Sequence, residues 1–305
     1  MSARHCMVRS ETIRTKDGKK IEARVYVPNE DSGRVIIISP SAHVTQKFYH
    51  DIACFFIDNK FTVLTFDFRG TGDSAPIDLK GFKANLENWA QQDLDAVLCY
   101  AKNQFPKQEL IFLGHGIGGE ILGLAPASEF INRIVLVSCA LSCTRLRRWQ
   151  EKLWIGMMKA FVKTISWLFG YFPGKELGVL NNLPKGVMYE WIDWCNNANG
   201  LFDDFPDHNY RKLQVPLLTF SFSDDWRSQE SGVKALLEHF TSSCITWFHI
   251  APKQIGKKRI GHSGFFKLSS QKRMWWPLLN WINDKKCAEE DQVLLLKKTF
   301  SKSNQ

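Results

Sequence analysis

Acyl transfer needs a nucleophile, a histidine to take its proton and a carboxylate to fix the imidazole tautomer. The 305-residue chain offers the last two in order, Asp224 or Asp225 and then His262. His262 sits in the glycine-flanked run Ile260-Gly-His-Ser-Gly-Phe-Phe266, and the two aspartates follow the apolar segment Leu217–Phe222. Upstream, Glu109-Leu-Ile-Phe-Leu-Gly114-His115-Gly116-Ile117-Gly118-Gly119-Glu120 reads as a strand, a tight turn and the start of a helix. A turn of that kind exposes its central residue, and here that residue is Gly116, which has no side chain. The chain therefore supplies a base and an acid and omits the atom they would activate.

The elements that must position these residues are legible from periodicity. Val8–Thr15 and Ile21–Val27 alternate around Lys16-Asp-Gly-Lys19 and predict an antiparallel hairpin. Continuous apolar runs at 35–38, 61–66, 110–113, 134–137, 217–222 and 245–250 predict strands buried on both faces. Helical spacing covers Phe48–Asn59 and Phe82–Phe105 between them. Strands alternating with helices make this an α/β chain with a mostly parallel sheet covered on both faces. From Ser142 to Lys212 no core strand is apparent, although five tryptophans fall there. The expected organisation is a core of residues 1–141 and 214–284, an inserted helical cap over 142–213 and a charged tail over 285–305.

With these elements placed, the motifs resemble the α/β-hydrolase superfamily. Asp67-Phe-Arg-Gly-Thr-Gly-Asp-Ser74 is similar to its D-x-R-G-x-G-x-S signature, and residues 114–118 match the G-x-S-x-G nucleophile elbow with glycine for serine. Asp224-Asp225 and the His262 loop then follow in family order, so the resemblance runs from about Val35 to Ile282. Phe48-Tyr49, Tyr171-Phe-Pro-Gly-Lys175 and Trp191-Ile-Asp-Trp-Cys195 resemble a bacterial branch of predicted hydrolases related to the serine aminopeptidases. The resemblance implies an esterase-like site with His262 as base and Asp225, or Asp224, as acid. It also implies oxyanion donors in the Ile117 N–H and in Ala42 or His43 of the loop after the third strand. No metal or organic cofactor is implied.

Glycine at 116 admits three readings. In the first, hydrolysis is impaired or lost, and the capped pocket binds a ligand or partner as a pseudoenzyme. In the second, the His262–Asp225 pair works alone on water or substrate. In the third, serine is the natural residue and this chain is an inactivated version. A fourth arrangement is also present, because Gly114-x-Gly116-x-x-Gly119 fits a dinucleotide fingerprint. It falls late in the strand order, however, and the next strand offers no acidic residue for a ribose.

Bulk properties narrow the setting. The net charge of +9 is spread along the chain and no nucleic-acid-binding motif accompanies it, so no nucleic-acid partner is expected. Met1–Ser10 has no apolar signal segment and no run reaches spanning length, so a cytoplasmic protein is expected. The eight cysteines form no C-x-x-C pair, and Cys54, Cys99 and Cys244 read as reduced core residues. Residues 152–169 place Lys152, Lys159 and Lys163 on one helical face, with Trp154, Met157, Met158, Phe161 and Ile165 on the rest. That pattern suits a lid whose apolar face packs over a hydrophobic or acyl ligand, with a membrane surface as the alternative contact.

Overall fold

The computed structural model describes residues 7–146, 149–178, 181–284 and 296–297, the side chains of 149–152, 154, 155, 296 and 297 excepted. Strands β1 (Met7–Arg14) and β2 (Lys20–Val27) form an antiparallel hairpin closed by Thr15 N–H on Lys19 O at 3.0 Å. Next come β3 (Arg34–Ser39), α1 (His50–Asp58) and β4 (Thr62–Phe66). After them stand α2 (Leu86–Asn88), a π-helical turn Trp89–Leu94, α3 (Asp95–Gln104), β5 (Glu109–His115), α4 (Ile117–Glu120) and β6 (Arg133–Val137). The last third holds α5 (Trp149–Phe169), α6 (Lys185–Asn196), β7 (Leu217–Phe222), α7 (Glu230–Leu237), β8 (Ile245–Ile250), α8 (Trp276–Asn283) and the two-residue β9 (Leu296–Lys297).

The strands lie in one sheet in the order β1-β2-β4-β3-β5-β6-β7-β8-β9, parallel from β4 onward. Each central strand reads as unbroken apolar sequence because its residues alternate between two covered faces. Val35, Ile37, Leu110 and Phe112 pack in one core with the α2–α3 segment, whereas Ile36, Ile38, Ile111 and Leu113 pack in the other with α1 and α8. The single helix expected over Phe82–Phe105 instead begins at Leu86 and widens into the π turn. There the buried Asp93 accepts from Arg69 Nε at 2.6 Å and from Arg69 N–H at 2.9 Å, and Trp89 Nε1–H reaches Arg69 O at 3.1 Å. An extra residue per turn is the local cost of facing both side chains inward.

Between β6 and β7 no strand joins the sheet among the described residues; α5 and α6 pack on each other there. The lid expectation for α5 needs correcting. Val162 and Ser166 face inward and are buried, but Met157 (63% exposed), Phe161 (52%) and Trp167 (73%) point to solvent with Leu153 and Leu168. Lys159 and Lys163 turn to Asp193 of α6, at 2.6 and 3.8 Å. The side chains of Lys152 and Trp154 lie outside the described residues, as does the 285–305 tail apart from β9. The cysteine expectation also changes: Cys54, Cys99 and Cys244 are half-buried, and Cys139, Cys143 and Cys195 are the core ones, none of these six in a disulfide. Cys6 and Cys287 lie outside the described residues. No described helix is long and apolar enough to cross a membrane.

Candidate active site

The sharp turn that ends β5 sets Gly116 at φ +54°, ψ −126°, with its N–H on Val137 O at 3.0 Å. A residue with a Cβ pays about 1–3 kcal/mol to sit in such a region, and glycine avoids this. The other two glycines of the would-be dinucleotide fingerprint are accounted for by packing. A Cβ on Gly114 would strike Gly119, and one on Gly119 would strike Cys139 Sγ, so both glycines let strand and helix close on each other.

Three loops converge on this turn. The first follows β7: Asp225 N–H bonds Phe222 O at 3.1 Å, and Asp225 Oδ1 accepts from Arg227 N–H at 3.1 Å. Its Oδ2 meets His262 Nδ1 at 2.9 Å. Asp224 takes a different role from the one left open for it. It accepts from Ile260 N–H (2.8 Å) and Gly261 N–H (3.0 Å), which pins the histidine loop rather than the imidazole. Burial pushes the Asp225 carboxyl up, but the hydrogen bond and charge of His262 bring it net below the usual range. A carboxylate on Nδ1 holds the proton there and leaves Nε2 as acceptor. That nitrogen lies 2.8 Å from where a Cβ on residue 116 would stand.

The second loop, after β3, runs against the elbow. Ser39 Oγ donates to Gly118 O at 2.9 Å, which fastens the start of the loop that carries Ala42 and His43 to α4. Ile117 opens α4, in the first turn where a helix has N–H groups without intrahelical partners. Asp67 braces the loop from behind, accepting from Gln46 N–H at 2.8 Å and Asp73 N–H at 2.9 Å. The D-x-R-G signature thus serves as scaffold.

Four side chains that the sequence reading did not single out as site residues complete the network. Ser41 N–H donates to Tyr49 OH (3.1 Å), Tyr49 OH to His115 Nδ1 (2.8 Å), and His115 Nε2–H to His262 O (3.1 Å). Ser41 Oγ and Ser263 Oγ bracket His43, at 2.8 Å from Nδ1 and 2.6 Å from Nε2. The visible signals were a histidine inside the elbow itself and a serine two residues before His43. Burial, and then the neighbouring His262, holds His43 down to about 3; His115 is held well below the usual histidine range by the same two causes.

His43, His115 and His262 each offer a ring nitrogen within 4.8 Å of the others, the spacing of a metal site. Both nitrogens of His43 and of His115 already have protein partners, so the trio presents one open ligand atom, His262 Nε2. Metal would have to break a hydrogen bond of His43 and another of His115 to bind.

Comparison with known proteins agrees with this fold. The family described as serine aminopeptidase, S33, matches residues 30–185, just over half of the chain and inclusive of the elbow. No curated protein matches the chain. Among solved structures, an esterase from Pyrococcus furiosus superposes with a TM-score of 0.60 at 15% identity, over 91% of this chain and 92% of its own. An esterase from Exiguobacterium antarcticum gives 0.60 at 14%, over 90% and 100%. An alpha/beta hydrolase from Penicillium sp. sh18 gives 0.61 at 17%, over 92% and 99%. The sheet order, the elbow and the family match together make this chain a member of the serine aminopeptidase S33 family with the α/β-hydrolase fold.

Proposed function

We propose that this chain binds an acyl ester or a related hydrophobic acyl ligand between the elbow and the cap. Hydrolysis through the ordinary serine is lost at Gly116, while His262 and Asp225 keep the roles of base and orienting acid. The Ile117 N–H, with Ala42 or His43, supplies the oxyanion contacts. The observation that carries this reading is the aim of His262 Nε2 at the vacant Cβ position of residue 116, 2.8 Å away. A surface histidine has no reason to be held there by Asp225, with Asp224 fastening its loop. The six described cysteines, all reduced, suit a reducing, cytoplasmic setting.

The test is Gly116→Ser assayed on short-chain p-nitrophenyl esters. The nearest atoms to the new Cβ are the tips of His262 and Ser41, so the variant needs side-chain shifts there and carries the backbone strain of about 1–3 kcal/mol at this φ. The expected gain in turnover is on the order of a thousandfold or more. Equal activity in both proteins favours the His262–Asp225 pair acting alone, and none in either favours pure binding.

A second reading concerns α5. Its outward stripe of Leu153, Met157, Phe161, Trp167 and Leu168, on a chain of net charge +9, suits contact with an anionic lipid surface. Flotation with phosphatidylserine-containing liposomes should carry the protein up, and Phe161→Asp with Trp167→Asp should leave it at the bottom.

A further inference from the structure

The volume that a serine at 116 would use is entered from the side by another hydroxyl. Ser41 Oγ lies 2.9 Å from the Cβ position of residue 116, beside His262 Nε2 at 2.8 Å. Ser41 is buried at the end of the β3 loop, and its hydroxyl bonds His43 Nδ1 at 2.8 Å. On its far side His43 bonds Ser263 Oγ at 2.6 Å. A hydroxyl within reach of an imidazole that a third group orients is the arrangement that marks an activated nucleophile.

We propose that Ser41 is the acyl acceptor of this site, with His43 as its base and Ser263 as a positioning residue. The inference rests on the acyl-site reading above and names the atom that reading lacks. With Nε2–H donated to Ser263, Nδ1 is the acceptor of the Ser41 O–H. Ser41 Oγ bonds to the substrate's carbonyl carbon as its proton passes to His43 Nδ1. The bond from that carbon to the leaving alcohol breaks, and the alcohol oxygen takes the proton from Nδ1, so an acyl ester remains on Ser41. A water molecule then attacks this ester and yields a proton to His262 Nε2. The free acid departs, and that proton returns to Ser41 Oγ. The two histidines divide the work: His43 serves acylation and His262 deacylation.

Acylation is slow in this arrangement, for a physical reason. Ser263 is a neutral orienter, and burial makes a charged His43 expensive, so the imidazolium formed on proton transfer lacks the carboxylate that steadies His262. Deacylation by the carboxylate-braced His262 therefore outruns acylation, the acyl-enzyme does not accumulate, and the slow step is read with a reagent whose adduct water does not remove.

The experiment treats the protein with a fluorophosphonate over long incubations and maps the label by peptide mass spectrometry. Label is expected on Ser41, falling about 100-fold in Ser41→Ala and in His43→Gln. Ser263→Ala should slow labelling and Ser263→Thr, which keeps the hydroxyl, should restore it, with melting temperatures verifying that each variant is folded. Label confined to other residues, or undiminished in Ser41→Ala, overturns the proposal. So does an unlabelled natural chain beside a Gly116→Ser variant labelled at position 116, an outcome that leaves the acyl site standing. If neither protein is labelled anywhere in the site, the acyl reading falls, and this inference with it.

Discussion

The elbow and the cap solve opposite problems with the same kinds of side chain. Around Gly116 the polar groups of Ser41, Tyr49, His115, Asp225 and His262 are buried or half-buried, and each has a partner. On α5 the apolar groups of Met157, Phe161 and Trp167 are in water, with no described partner covering them. A polar atom withdrawn from water must be satisfied or it costs free energy, so the elbow network is closely specified. An apolar atom left in water is tolerated by the fold, so α5's outer face is free to answer to something outside it.

The contrast can be broken most forcefully at the acid. In the Gly116→Ser background, Asp225→Asn should lower ester turnover by about four orders of magnitude, because the wrong tautomer of His262 then faces the serine. Asp224→Asn should act differently, raising the mobility of the histidine loop with a smaller loss, and comparing kcat for the two variants separates orientation from scaffolding. Equal losses would erase the distinction drawn between the two aspartates.

Next in size is Glu120, fully enclosed at the end of α4, where burial pushes its carboxyl up to about 8 against a hydrogen bond from the Ser142 backbone. A carboxyl raised in the folded state favours folding at low pH. That advantage is complete below the unfolded value of 4.5 and is lost as pH rises through 8. Glu120→Gln should thus gain on the order of 4 kcal/mol at pH 9 relative to pH 4, read by denaturant titration at both. A pH-independent difference would mean that Glu120 has a route to solvent.

Smaller effects compare the two regions directly. Tyr49→Phe removes the hydroxyl that both accepts from Ser41 N–H and donates to His115, and should cost roughly 1–3 kcal/mol. On α5, Val162→Ala should cost about 1 kcal/mol or more on its buried face. Met157→Ala, on the outer face, should stay within about 0.5 kcal/mol. A large loss from Met157→Ala would show that the outer stripe is covered in solution.

The elbow, Asp225 and His262 were readable in sequence because each is announced by local chemistry: glycines at a strand-to-helix turn, or an acid or histidine in a loop after a strand. The β-strands were readable because burial on both faces leaves unbroken apolar runs. Other features were not local. Whether Asp224 or Asp225 meets His262 depends on which way each side chain leaves the turn after β7. Whether α5 hides Met157 depends on where α6 lies. Ser41 and Ser263 are separated by more than 220 residues, and only the folding of the β3 loop against the histidine loop brings them to the two nitrogens of one ring.

The sequence by itself determined the α/β alternation, the glycine in place of a side chain at 116, and a histidine and two aspartates in the late loops. Periodicity and residue type are enough for these, because they follow from burial and from the chemistry a side chain carries. Tertiary structure alone decided which aspartate meets His262, what fills the space beside Gly116, and which face of α5 meets water. Those depend on distances between segments far apart in the chain, and such distances are set by packing the whole sheet and its loops at once.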